Sequence, residues 1–209
     1  VALVAIASRF GHLRVQLPLE HTQHFVSENL KDFPSQLSVS ENQFLNASGQ
    51  PVRLRGVMIQ DPYVLDGRGR FKETLVEEVA ATSANVIRVP IHPGNWLSDP
   101  DYLWRYLDPL VEWAGENNLY IILDWHYIGN IATGAGEQMP DIDPAPAALS
   151  TEFWELLSNH YKDTPHVLFE IFNEPQSISA EFGCYLERVY DITLGFAHFL
   201  AMRIIDRTP

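Results

Sequence analysis

The 209-residue chain predicts an α/β fold built from successive parallel βαβ units. Three observations carry that expectation. Short, nearly unbroken apolar runs rich in β-branched and aromatic residues (Asn85 to Val89, Tyr120 to Asp124, Val167 to Pro175) suit strands covered on both faces. Between them lie stretches with apolar residues at helical spacing. Strand followed by helix then recurs four times, the pattern of right-handed crossovers. Composition agrees, since 46% hydrophobic and 20% charged residues are enough for one sizeable core.

In chain order, residues 1–37 show no clear period and read as an irregular lead-in. Its start, Val1 to Ser8, has the look of a signal peptide's apolar tail. Leu37 to Ser40 and Gln43 to Leu45 form a small hairpin, followed by the turn cluster Asn46 to Pro51. Pro51 to Ile59 is the first strand of the parallel set, and Gly56 within it admits close approach of another backbone. After the loop Asp66 to Gly69, Leu75, Val76, Val79 and Ala80 mark the first helix. The strand Asn85 to Val89 leads into a loop, Ile91 to Trp96. A short helical stretch, Tyr102 to Leu107, precedes a helix with Asp108 as N-cap, Pro109 at its first position and Leu110, Val111 and Ala114 buried. The strand Tyr120 to Asp124 is followed by a long Gly-, Pro- and Ala-rich loop over residues 128–149. Thr151 to Tyr161 forms a helix with Phe153, Trp154, Leu157 and Tyr161 inward, and Glu187 to Ile205 forms the last one.

The fourth strand carries the chemistry. It runs Val167-Leu168-Phe169-Glu170-Ile171-Phe172 and ends in the polar pair Asn173-Glu174, with Pro175 closing the ladder because it has no N–H. In parallel sheets and barrels, that end of a strand is where reactions are carried out. A carboxyl at the rim of an apolar wall has its pKa raised by desolvation, as a general acid near neutral pH requires. A glutamate that caps a helix or faces water is the commoner case on composition alone. Glu170, on the same alternate face as Glu174, is expected in a buried polar layer near the base of the strands. Trp96, Trp125 and Tyr127 are either platforms for the flat apolar face of a ligand or core filler, and the residues themselves do not choose.

Charge and motifs exclude several classes. A net charge of −13 and a pI of about 4.9 disfavour nucleic acid. No apolar run reaches the ~18 residues that span a bilayer. Cys184 is the single cysteine, so no internal disulfide forms. Asn46-Ala47-Ser48 is an acceptor sequon. The eight histidines show neither HExxH nor paired ligand spacing, and no nucleotide-binding glycine motif occurs, so neither metal nor cofactor is expected.

Four segments in this order resemble strands of glycoside hydrolase family 5, the cellulase family of clan A. They are Arg53-Leu54-Arg55-Gly56-Val57, Asn85-Val86-Ile87-Arg88-Val89-Pro90, Tyr120-Ile121-Ile122-Leu123-Asp124-Trp125-His126, and the aromatic strand ending Asn173-Glu174-Pro175. The likeness covers roughly residues 38 to 180. It implies a (β/α)8 barrel of the TIM type, with the hairpin covering its bottom, and a retaining endo-β-1,4-glucanase-like glycosidase. By the same resemblance Glu174 is the acid/base, Asn173 bonds the sugar 2-hydroxyl, Arg88 supports the nucleophile and His126 contacts sugar. His92 matches more loosely, as a binding residue beside Trp96 and Tyr127.

The family places its nucleophilic glutamate on the seventh strand, and a closed barrel takes ~250 residues or more. Here four strands are counted, and after Glu174 the acidic residues Glu181, Glu187, Asp191 and Asp206 end no apolar strand. The expectation is a barrel truncated after about four β/α units, with residues 38–209 a partial catalytic domain that lacks the nucleophile and is inactive alone. Its partner would be a polysaccharide, β-glucan first, and its location extracellular by secretion. Two alternatives stand beside this: a non-catalytic carbohydrate-binding remnant, and a half barrel completed by a second half barrel.

Overall fold

A computed structural model describes residues 24–41, 43–131, 147–175, 183–185 and 187–189. The signal-peptide tail, the central part of the long loop (residues 132–146) and the last helix beyond residue 189 lie outside the described residues. Residues 24–37, expected to be irregular, contain a 3-10 turn at Leu30–Asp32 and bury Phe25, Phe33 and Leu37. Phe33 stands edge-on to His166 at 4.9 Å and fills the space that a Cβ on Gly115 would need.

The strands β1 (Ser38–Ser40), β2 (Gln43–Leu45) and β3 (Pro51–Val52) form a small antiparallel sheet. β4 (Gly56–Met58) instead opens the parallel sheet. The strand expected over Pro51 to Ile59 is therefore two strands in two sheets. Asn85 explains the break, because its side chain accepts from Arg55 N (2.7 Å) and donates to Arg53 O (3.0 Å), binding backbone groups between the two strands.

The helix α1 (Pro62–Gly67), capped by Asp61 with proline in its first turn, was not expected and takes in the first two residues, Asp66 and Gly67, of the expected loop. α2 (Glu73–Ala80) follows and buries Val76 and Val79. β5 (Val86–Ile91) runs on through Pro90, which is tolerable because Arg88 O already accepts from Ile59 N on the β4 side. Pro90 faces the same side, where β4 has ended, so its missing N–H leaves no bond unmade. α3 (Pro93–Ser98) replaces the second expected loop.

A wide π-type turn at Leu103–Leu107 runs straight into α4 (Asp108–Glu116). Asp108 is helical rather than an N-cap. Its carboxylate accepts from His160 Nε2 (2.8 Å) and Tyr161 Oη (2.7 Å) instead. The wide turn gives Pro109 room that an ordinary helical turn would deny to its ring.

β6 (Tyr120–Trp125) is buried throughout. β7 (Ile128–Gly129) is short, α5 (Ala147–Tyr161) begins four residues earlier than expected, and β8 (Val167–Glu170) is the fourth parallel strand. The ladder of the main sheet stops at Glu170. Chain beyond it pairs separately, as β9 (Glu174–Pro175) against β7.

The four parallel strands lie in the order β4-β5-β6-β8. Their outer face packs with the helices around Ile87, Val89, Ile121, Leu123, Phe169 and their neighbours. A second, smaller core joins Val86, Tyr120, Ile122 and Leu168 of the sheet to Leu37, Phe44, Val52 and Leu54. The small antiparallel sheet thereby covers apolar positions on the other face.

A Cβ on Gly56 would lie 1.7 Å from Val86 O, a clash with backbone that no rotamer relieves. Gly56→Ala is expected to lower unfolding free energy by more than about 2 kcal/mol in urea titration. Gly67→Ala, with open space around it, should be neutral or gain up to ~1 kcal/mol.

Candidate active site

The C-terminal ends of β5, β6 and β8 bring together the most concentrated polar cluster of the parallel sheet. Arg88 on β5 is its centre. Its Nε and Nη2 donate to Glu170 Oε2 and Oε1, both at 2.7 Å, a bidentate pair. Nη2 also donates to Asn173 Oδ1 at 2.9 Å and lies 3.0 Å from Asp124 Oδ2. Nη1 donates to Met58 Sδ at 2.8 Å. The hydrogen bond to Glu170 raises the Arg88 pKa, against the effect of burial, and the charges of Asp124, Glu170 and Glu174 act in the same upward direction.

Asp124, one residue before the end of β6, is fully buried. Burial pushes its carboxyl pKa up, opposed by the His126 hydrogen bond and the Arg88 charge, while Glu170 pushes it further up. Asp124 Oδ1 finds no hydrogen-bond partner among the described residues. Oδ2 lies 2.6 Å from His126 Nδ1. An ionised carboxylate can only accept, so Nδ1 carries a hydrogen and the neutral ring keeps Nε2 as an acceptor. Among the described residues no group of three or more His, Cys, Asp or Glu could hold a metal ion. No helix among them is long and apolar enough to cross a membrane.

Arg88, Asn173 and His126, singled out in the sequence, are thus joined through one guanidinium and one carboxylate. Glu174 is exposed at the start of β9, with its N–H bonded to Tyr127 O at 3.2 Å. His92 sits at the N-cap of α3, where its Nδ1 accepts from Gly94 N at 3.1 Å. Burial lowers the His92 pKa, the Asp61 charge opposes that, and His126 lowers it further. Trp96 is half-buried, with its ring against Tyr102 and Phe153.

Tyr127 is a correction. It is 1% exposed and edge-on to Phe172 at 5.6 Å, so it packs as core and has no open face for a sugar. Trp125 is likewise core, packed against Phe153. Glu170 is corrected too: it lies level with Arg88 and Asn173, in the site's own polar layer rather than near the base. Sequence reasoning overlooked the role of Asp124 and passed over Asp61. The Asp-Pro pair at Asp61-Pro62 was the signal available for the latter.

A parallel sheet with helices on its outer face and a polar cluster at the C-terminal ends of its strands is the arrangement of an active face in a (β/α)-barrel enzyme. Comparison with known proteins makes the assignment specific. Residues 45–191 match the family described as Cellulase (glycosyl hydrolase family 5), and the chain belongs to that family.

A β-glucanase from Saccharophagus degradans, solved in complex with cellotetraose, is 31% identical with a TM-score of 0.73. That alignment covers 83% of this chain and 54% of the other. Endoglucanase A of Butyrivibrio fibrisolvens is 25% identical over 169 residues, 75% of this chain and 35% of its own length. Endoglucanase C of Evansella cellulosilytica is 28% identical over 146 residues, 63% of this chain and 16% of its own. The chain spans about half the β-glucanase structure and about a third or less of these endoglucanases.

Replacing Arg88 by methionine leaves the Glu170 and Asp124 carboxylates without their cation. Arg88→Met is expected to cost about 3 kcal/mol at pH 7, read by denaturant unfolding. Without the guanidinium the Asp124 pKa rises further, so the penalty is full where that carboxylate is charged. The loss should shrink as pH falls and Asp124 takes its proton.

Proposed function

We propose that this chain carries the acid/base half of a retaining endo-β-1,4-glucanase site, acting on a β-1,4-linked glucan, with Glu174 as the acid/base. The observation that carries this reading is the Arg88–Asn173 bond at the sheet's C-terminal end, directly before Glu174. Asn173 is held by Arg88 through its carbonyl oxygen, which leaves its amide N–H groups to meet a sugar 2-hydroxyl. Glu174 protonates the departing glycosidic oxygen and then, as carboxylate, takes the proton of the attacking water. His126 Nε2 and the His92–Trp96 segment line the sugar side.

A retaining mechanism needs a second carboxylate as nucleophile, about 5–5.5 Å from the first. Among the described residues the carboxylates nearest the cluster are Glu170 and Asp124, and both are tied to Arg88. Neither is free to attack an anomeric carbon. On this reading the nucleophile belongs to the remaining part of the barrel, and the chain alone binds glucan without cleaving it. The cellotetraose in the β-glucanase relative supports a β-glucan ligand. A polymer of this kind stays outside cells, so we read the protein as secreted.

One observation favours a second reading, a half barrel that completes its site with another half. The outer edge of β4 is unpaired among the described residues, and Val57 and Met58 on it are 46% and 57% exposed. An open edge of this kind is a template for another strand.

Hydrolysis of soluble β-glucan by the purified chain, beside Glu174→Gln, tests both readings. The expected result is no turnover by either and retained binding of cellotetraose. Turnover by the chain that is lost in Glu174→Gln, together with a dimer in sedimentation, would favour the completed half barrel. Absence of any saccharide binding would remove both.

A further inference from the structure

Asp61 is 8% exposed, and its carboxylate gathers three donors. Its Oδ1 accepts from Tyr63 N and from Tyr102 Oη, each at 2.9 Å. Its Oδ2 accepts from His92 N at 2.8 Å. Three donors and no acceptor is a setting only an ionised carboxylate satisfies fully. We propose that Asp61 is a positioning residue for the substrate-facing segment of residues 92–96, which rests on the glucanase reading above.

The contacts form a closed circuit. Asp61 holds the His92 backbone at the point where β5 gives way to α3. The His92 ring caps α3 through Gly94 N. α3 carries Trp96, whose ring leans on Tyr102 at 5.6 Å, and Tyr102 returns its hydroxyl to Asp61. Because His92 Nδ1 accepts, the neutral ring carries its hydrogen on Nε2, the form a sugar hydroxyl oxygen can use. The titratable groups acting on His92 are Asp61 and His126, and Asp61 is the one that offsets burial. Burial and the Asp61 charge both keep the Tyr102 phenol protonated as the donor. One carboxylate thus fixes the place of His92, its tautomer by way of the cap, and the tilt of Trp96.

Asp61→Asn discriminates among these bonds. The amide oxygen still accepts from Tyr63 N and Tyr102 Oη, but the amide nitrogen sets a donor against His92 N–H. In ¹⁵N-labelled chain, His92 of Asp61→Asn is expected to titrate at lower pH than in the unmutated protein. Cellotetraose should bind about 10-fold more weakly. An unchanged His92 titration together with unchanged affinity overturns the proposal. Tyr102→Phe keeps the carboxylate and the His92 bond, so its His92 titration should stay in place. The same change in both variants means general loosening and also overturns it.

Should Asp61→Asn not fold, deuterium exchange on the unmutated chain decides. The His92 amide should be protected roughly 10-fold or more relative to an unstructured peptide, and an unprotected amide refutes the anchor. If the unmutated chain fails to bind cellotetraose, the glucan reading falls, while His92 titration and exchange still report on Asp61.

Discussion

The guanidinium of Arg88 is the constraint around which the upper end of this sheet is arranged. Glu170 and Asp124 project from β8 and β6 towards the same space, and two carboxylates there would repel each other and resist burial. Arg88, on β5, lies between them in charge terms and binds Glu170 through two parallel hydrogen bonds. The spare direction of Nη2 then reaches Asn173. Because the guanidinium is planar and fixed, satisfying the carboxylates also sets the amide's orientation. A charge-compensation requirement thereby becomes a geometric one, immediately before Glu174.

A sheet needs cover on both faces before it can support such a cluster. Outside, the helices provide it with a continuous aromatic packing that includes Trp125, Phe153, Trp154 and Phe169. On the other face the antiparallel strands β1–β3 bring Phe44 and Val52 onto Ile122, Leu168 and their neighbours. The division of labour follows position along the strands. Val86, Tyr120, Ile122 and Leu168 take the apolar cover, and Arg88, Asp124 and Glu170, towards the C-terminal ends, carry the polar layer.

Most of the sheet was legible in the sequence because its strands are short apolar runs whose period and composition are local properties. Asn173, Arg88 and His126 could be singled out as candidates for a related reason: each stands at or near the end of such a run and matches a family motif. Less legible were features that depend on partners far away in the chain. The Asp-Pro pair illustrates this. At Asp108-Pro109 it suggested an N-cap, but the preceding turn continues into the helix and the carboxylate serves His160 and Tyr161. At Asp61-Pro62 the same dipeptide does cap a helix, and its second oxygen holds His92. Local chemistry is identical in the two places; the surroundings differ.

The sequence by itself determined the α/β class, the order of the parallel strands' apolar runs, the acidic character and the family, since these rest on residue type and spacing. Tertiary structure decided how Pro51 to Ile59 divides between two sheets, because the side chain that separates them, Asn85, lies some thirty residues further on. It also decided that Tyr127 packs as core while Trp96 stays half-buried, since an aromatic ring's role depends on what covers its face. Finally it placed Glu170 and Asp124 on one arginine. Burial and charge pairing are properties of the assembled fold, and no window of sequence contains both partners.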